Sequence, residues 1–166
     1  MLEISESLRE VMRGWPTGVA VVTSAFEGHA HGMTINSLTS VSLEPPVVTV
    51  SLANLSRTYQ IVMERKAFAV TFLDVTQQHI ADIFAGKVPE EEDRFEGLET
   101  FTLTSGIPLL KAGRAHLDCV VLQSVPLANS TIFIGEVKAA QGDLSRPPLA
   151  YLNRRYRQVS EWPNQV

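Results

Sequence analysis

Arg114-Ala-His-Leu-Asp-Cys-Val-Val-Leu-Gln-Ser-Val125 and Thr131-Ile-Phe-Ile-Gly-Glu-Val-Lys-Ala-Ala140 read as two long strands, with Pro126-Leu-Ala-Asn-Ser130 as the hairpin loop between them. Strands of this length outrun a small flat sheet and favour a coiled or closed one. Upstream, Gly18-Val-Ala-Val-Val-Thr-Ser-Ala25 is compact and β-branched, Glu27-Gly28 turns, and His29 to Ser37 runs back as the second arm of a hairpin. Leu38 to Leu43 reads as a further short strand closed by Glu44-Pro45-Pro46, and Val47 to Leu52 as a clear one.

Helical signals interrupt the strands. Ile4, Leu8, Val11, Met12 and Trp15 fall at helical spacing, with Gly14 as a stop. A short helix is expected over Arg57 to Arg65, followed by a strand over Ala67 to Leu73. A second internal helix is expected with Thr76 as N-cap, Val75 and Ile80 as a hydrophobic staple and Gly86 as its end. Pro89-Glu-Glu-Glu-Asp93 reads as a polar loop, and the tail from Leu149 to Val159 is aromatic and basic. This order lacks the βαβ alternation of a parallel sheet. It predicts a mainly β (α+β) chain: one domain over residues 1–166, a Greek-key-like barrel with two to three peripheral helices.

With 166 residues, 45% of them hydrophobic, the chain can bury a sizeable core. Its net charge of −4 comes from 14 basic and 18 acidic residues without a basic stripe, which argues against nucleic acid as a partner. The apolar runs are too short for a bilayer, and the acidic opening Met-Leu-Glu-Ile-Ser-Glu has no signal-peptide layout. Cys119 is the only cysteine, so no intrachain disulfide forms and a cytoplasmic location is expected. Gly-x-Gly-x-x-Gly, a Walker-type loop and a Gly-x-Ser-x-Gly elbow are all missing. His29 and His31 share a strand face without a convincing third ligand and read as surface or turn residues rather than a metal site. His116 and Asp118 are spaced for a structural pair, and Cys119 lies mid-strand as a small hydrophobe.

Two stretches carry unusual hydrogen-bonding capacity. In Met33-Thr-Ile-Asn-Ser-Leu-Thr-Ser40, Thr34, Asn36 and Ser40 fall on one parity, with Ser37 and Thr39 on the other. Such an edge suits a flat heterocycle rich in acceptors, or is simply a polar strand end. In Ser51-Leu-Ala-Asn-Leu-Ser-Arg-Thr58 a strand runs into a helix, so Ser56, Arg57 and Thr58 stand where free amides and the helix dipole favour an anion. Ordinary N-capping by Asn54 or Ser56 is the other reading. Together the stretches suggest a phosphorylated heterocyclic cofactor.

The phrases Trp15-Pro-Thr-Gly-Val-Ala-Val-Val-Thr23, His31-Gly-Met-Thr-Ile-Asn-Ser-Leu-Thr-Ser-Val-Ser-Leu-Glu-Pro-Pro46 and Ser56-Arg-Thr58 resemble the flavin reductase-like proteins. Phe68-Ala-Val70, Phe84-Ala-Gly86, Asp93-Arg-Phe95, Pro108-Leu-Leu110 and Phe133-Ile-Gly-Glu-Val137 continue the match in order. These are the small reductase components of two-component flavin monooxygenases, with an FMN-binding split-barrel fold. The resemblance implies an NAD(P)H:flavin oxidoreductase that passes a hydride from NADH or NADPH to FMN, or to FAD, and supplies reduced flavin to a partner monooxygenase. It also implies a homodimer. Alternatives within the resemblance are a tightly bound FMN serving another substrate and a non-catalytic flavin carrier.

By the same resemblance, Thr34, Asn36, Ser37 and Ser40 line the ring and ribityl chain, and Ser51, Leu52 and Ala53 supply backbone contacts. Ser56, Arg57 and Thr58 hold the phosphate, while Phe84 and Arg94 border the flavin. Ser130, where many relatives carry a histidine, and Tyr156 face the nicotinamide. Arg154, Arg155 and Arg157 stand within reach of a 2′-phosphate.

Overall fold

The computed structural model describes residues 3–87 and 93–160. Helix α1 (Ile4–Arg13) leads through β1 (Thr17–Gly18) into β2 (Ala20–Phe26), β3 (His29–Ile35), β4 (Thr39–Leu43) and β5 (Pro46–Ala53). Helix α2 (Arg57–Arg65), β6 (Ala67–Phe72) and α3 (Gln78–Asp82) follow. The chain widens after α3 into one further turn, Ile83–Lys87, where Gly86 takes φ 81° and ends it. The remainder is β7 (Thr100–Thr102), β8 (Pro108–Leu110), β9 (Ala115–Pro126), β10 (Ser130–Gly142), β11 (Leu149–Leu152) and β12 (Arg155–Gln158).

Seven strands form one antiparallel sheet in the order β3-β2-β6-β9-β10-β5-β4. The long strands β9 and β10 lie side by side within it. Their register shifts twice, between Ile134 and Gly135 and between Val137 and Ala139. Bulges bend and twist a strand pair, which lets strands of 12 and 13 residues wrap instead of running flat. Gly135 is required at the first bend: a Cβ there would lie 2.6 Å from Cζ of buried Phe68. The rolled sheet brings the end of β3 back to β5. There the Ser37 hydroxyl donates to the Ser51 carbonyl and accepts from the Ser51 amide, at 3.1 and 3.0 Å.

The non-alternating apolar run in β2 is explained by cover on both faces. Ala20 and Val22 join Val50, Leu52, Phe68, Val70, Cys119 and Phe133 inside the barrel. Val21 points the other way, into a second cluster with Leu73, Ile80, Phe84, Leu110 and Leu149 beneath α3. Helix α2 closes one side of the barrel through fully buried Val62, with Tyr59 tilted against Phe133 at 5.9 Å. Burial, reinforced by the neighbouring Asp118, pushes the Cys119 thiol up to about 12, so it packs as a hydrophobe.

Several expectations need correction. Thr76 is not an N-cap: α3 begins at Gln78, and the Thr76 hydroxyl and amide both donate to Asp74 Oδ1. Buried Asp74, paired with Arg146 at 2.7 Å, holds that turn and displaces the start of the helix. His116 and Asp118 do not pair with each other: His116 Nε2 meets the Leu110 carbonyl, while Asp118 accepts from the Ser105 amide. The basic tail folds as the β11–β12 hairpin, which joins β1 in a separate three-stranded sheet. The short β7–β8 pair was also unanticipated. Of the polar loop Pro89–Asp93, all but Asp93 lies outside the described residues. Among the described residues, no helix is long and apolar enough to cross a membrane.

Candidate functional site

A cavity of about 720 Å³ opens where β3, α2, the turn after α3 and the β11–β12 hairpin meet. Strand β3 lends His31, Met33, Thr34 and Ile35, and Asn36 follows directly. The start of α2 lends Ser56 and Arg57. Across from them stand Phe84 and Lys87 from the turn after α3, Arg94 from the next segment, and Tyr151, Arg154, Arg155 and Tyr156 from the hairpin. The walls therefore combine apolar and aromatic faces with several cations. That mixture suits a flat, partly apolar ligand carrying an anionic tail.

Ser56 caps α2, its Oγ accepting from the Tyr59 amide at 3.2 Å while donating to the Ala53 carbonyl. Thr58 is fully buried, and its hydroxyl meets His31 Nδ1 at 2.8 Å instead of facing the cavity. His31 is thus not a surface histidine as expected from the sequence. It is half-buried between Arg57 and Arg94, and desolvation, then these two cations, hold its imidazole down at about 4. It is neutral at pH 7, with Nε2 buried and unpartnered. Arg94 donates to the carbonyls of Gly32 and Phe84, and its Nε is likewise buried without a partner. Gly32 lets the ring of Phe84 lie against β3, since a Cβ would come within 2.9 Å of it. Phe84 packs edge-on against Phe95 at 5.3 Å.

The hairpin wall is held by its turn. Asn153 and Arg154 both take positive φ, 52° and 58°, as a two-residue hairpin loop requires. The Asn153 amide donates to the Arg13 carbonyl at the end of α1. Tyr156 donates its hydroxyl to Asp82, which also accepts from Lys87 at 2.7 Å. Burial first, then this carboxylate, push the Tyr156 phenol up to about 12. It stays a neutral donor.

Of the residues singled out in the sequence, Thr34, Asn36, Ser56, Arg57, Phe84, Arg94 and Tyr156 share this cavity. The Thr34 hydroxyl donates to the Ala81 carbonyl at 2.7 Å, which leaves only its lone pairs for a ligand. Ser37 and Ser40 line an adjoining hollow, which shares Val19, Ile35 and Asn36 with the first. Ser51, Leu52 and Ala53 are committed to the ladder with Ile132, Thr131 and Ser130, and none of them lines the cavity. Ser130 opens β10, where its carbonyl accepts from the Leu127 amide, and it does not line the cavity. His31, Lys87 and Tyr151 were missed. His31 was legible only as the residue opening the family-like phrase His31-Gly-Met-Thr, and nothing local marked the other two.

Comparison with known proteins agrees with this geometry. The family model of the flavin reductase like domain matches residues 12–160. The reductase component of an FADH(2)-dependent resorcinol hydroxylase from Rhizobium sp. is 34% identical over 155 residues, covering 92% of this chain and 86% of the relative. The NADH-dependent flavin reductase StyB of Pseudomonas fluorescens is 32% identical, covering 92% and 88%. Among solved structures, the NADH:FAD oxidoreductase SgcE6 of Streptomyces globisporus in complex with NAD and FAD fragments superposes with a TM-score of 0.87. It is 32% identical and covers 96% of each chain. The chain belongs to the flavin reductase-like family, and its rolled sheet is the split barrel of that family.

Proposed function

We propose that the protein is an NAD(P)H-dependent flavin reductase built as one domain, and that it supplies reduced flavin to a monooxygenase. The observation that carries this is the single cavity joining the α2 N-terminus, with Ser56 and Arg57, to an aromatic and amide wall of Asn36, Phe84 and Tyr156. The residues present fit a flavin phosphate. Cationic Arg57 and Arg94 and the helix N-terminus suit the anion, while the buried, unpartnered Arg94 Nε and His31 Nε2 await an acceptor. FMN satisfies this seat with its whole binding requirement, and FAD is accommodated as the larger relative.

Flavin and reduced nicotinamide, when bound, would supply the hydride-transfer chemistry, and the chain's contribution would be placement and electrostatics. Ser56 and Arg57 anchor the phosphate, and Asn36 with the lone pairs of Thr34 orient the ring. Phe84 shields one side from water. Tyr156, which stays protonated, would lie beside the nicotinamide, and Arg154 and Arg155 would face the phosphates of the dinucleotide. Ser37 and Ser40 border the ring from the adjoining hollow, and Thr58 acts through His31.

Helix α1 supports a homodimer: it buries no residue within one chain, and Ile4, Leu8, Val11, Met12 and Trp15 are all exposed. A second copy covering that face completes the cytoplasmic enzyme. The decisive test is consumption of NADH or NADPH by purified protein with added FMN or FAD; no consumption with either flavin refutes the reading. The pair Ser56→Ala with Arg57→Ala should weaken FMN about 10- to 100-fold, as expected for charged hydrogen bonds of about 1.5–3 kcal/mol. Riboflavin should bind nearly as before. Equal loss for both ligands would remove the phosphate seat.

A further inference from the structure

We propose that His31 is a further member of the phosphate seat, taking up a proton from solvent when a phosphomonoester binds between it, Arg57 and Arg94. The inference rests on the flavin reading above and adds to it a residue and a coupling. His31 lines the main cavity and also a second hollow behind it, and Arg57 and Arg94 line the same two spaces. The three side chains thus form a shared partition beside the start of α2. Thr58 fixes the imidazole through Nδ1 at 2.8 Å, which leaves Nε2 as the atom without a partner.

The charges around His31 are nearly all positive. Helix α2 contributes Arg57, the segment after the α3 turn contributes Arg94, and the α3 turn itself contributes Lys87 on the cavity wall, paired there with the Asp82 carboxylate at 2.7 Å. The hairpin turn places Arg154 and Arg155 across the space. Asp93 and His29 border the hollow behind. Burial first, and then Arg94 and Arg57, keep the half-buried imidazole neutral before an anion binds. A dianionic phosphate reverses the balance, because an opposite charge at contact distance favours the protonated ring. The proton comes from the buffer and stays on His31 as an imidazolium paired with a phosphate oxygen; no bond in the ligand is made or broken.

The sign separates this from the phosphate's own titration. A phosphomonoester has its second pKa near 6, and arginines alone would make it release a proton on binding. His31 makes the site take one up. At pH 6, calorimetry of FMN binding in buffers of different ionisation enthalpy should show more proton uptake in the wild type than in His31→Gln. FMN should bind the variant about tenfold more weakly, with riboflavin unchanged. Proton exchange and FMN affinity matching the wild type would overturn the proposal. Histidine titration by NMR in the wild type needs no variant. One of the four imidazoles should rise by about 1–3 pH units when FMN binds and stay put with riboflavin. If none moves with FMN, His31 is not in the seat. Wild-type protein that binds no flavin at all would overturn the underlying reading as well, a result distinct from flavin binding without proton uptake.

Discussion

Gly32→Ala tests how the barrel positions the cavity wall. The added Cβ would stand 2.9 and 3.0 Å from two atoms of the Phe84 ring and 3.0 Å from Thr23 Cγ2. Ordinary carbon contacts are about 3.5–4.0 Å, so something must yield by roughly half an ångström or more. Thr23 cannot, being fully buried with its hydroxyl on the Pro108 carbonyl. Phe84 is nearly as buried but also lines the cavity, so its ring has the softer boundary. Overpacking of this kind costs about 1–3 kcal/mol, or roughly 3–9 °C in Tm for a chain of this size. The displaced ring intrudes on the flavin site and disturbs the Gly32 carbonyl that Arg94 holds. Thermal unfolding and flavin fluorescence titration would show lower Tm together with FMN binding weakened about tenfold. Adding Phe84→Leu should restore part of both losses, whereas Phe84→Leu alone should cost stability. A Gly32→Ala protein with unchanged Tm and affinity, or simple additivity in the double variant, refutes the coupling.

Arg146→Met should lower stability by about 3 kcal/mol, read as a shifted denaturation midpoint, because it strands the buried Asp74 carboxylate. A loss below about 1 kcal/mol would show that Asp74 finds compensation elsewhere. Acid should destabilise the flavin-free protein between about pH 6.5 and 4. Folded His31 protonates near 4 and folded His116 is also depressed, chiefly by burial, so the unfolded chain binds more protons across that window. Tm should fall from pH 7 to pH 5, and less steeply in His31→Gln; an identical slope in the variant would remove His31 as a contributor.

The strand and helix pattern was legible where local signals agree with the tertiary environment. Arg57–Arg65 formed as expected because Ser56 caps it and Val62 buries beneath it. The long pair from Arg114 to Ala140 did imply a rolled sheet, although only the structure locates the bulges beside Gly135 and Val137. Thr76 misled because its partner is the side chain of Asp74, whose own partner, Arg146, lies 72 residues away. No local window contains that competition. The same holds for the site. Asn36, Ser56 and Arg57 stood out by chemistry, but Tyr151 and the arginines of the tail reach the cavity only because β11 pairs with β1, and Lys87 because the turn after α3 lies against β3. His31 looked ordinary because its burial comes from α2 and the segment carrying Arg94.

The β11–β12 hairpin belongs to a different sheet from the wall it faces. The cavity is therefore a gap between two sheets, joined where Leu149 packs with Val21 and Leu73. Its width is governed where the hairpin is fastened: the β1 ladder, the Asn153 amide on the last turn of α1, the Tyr156 hydroxyl on Asp82, and the Leu149 amide on the Leu73 carbonyl. Whatever sits on α1 bears on the second of these, so the aperture for nucleotides and the cover on the outer helix share one hinge.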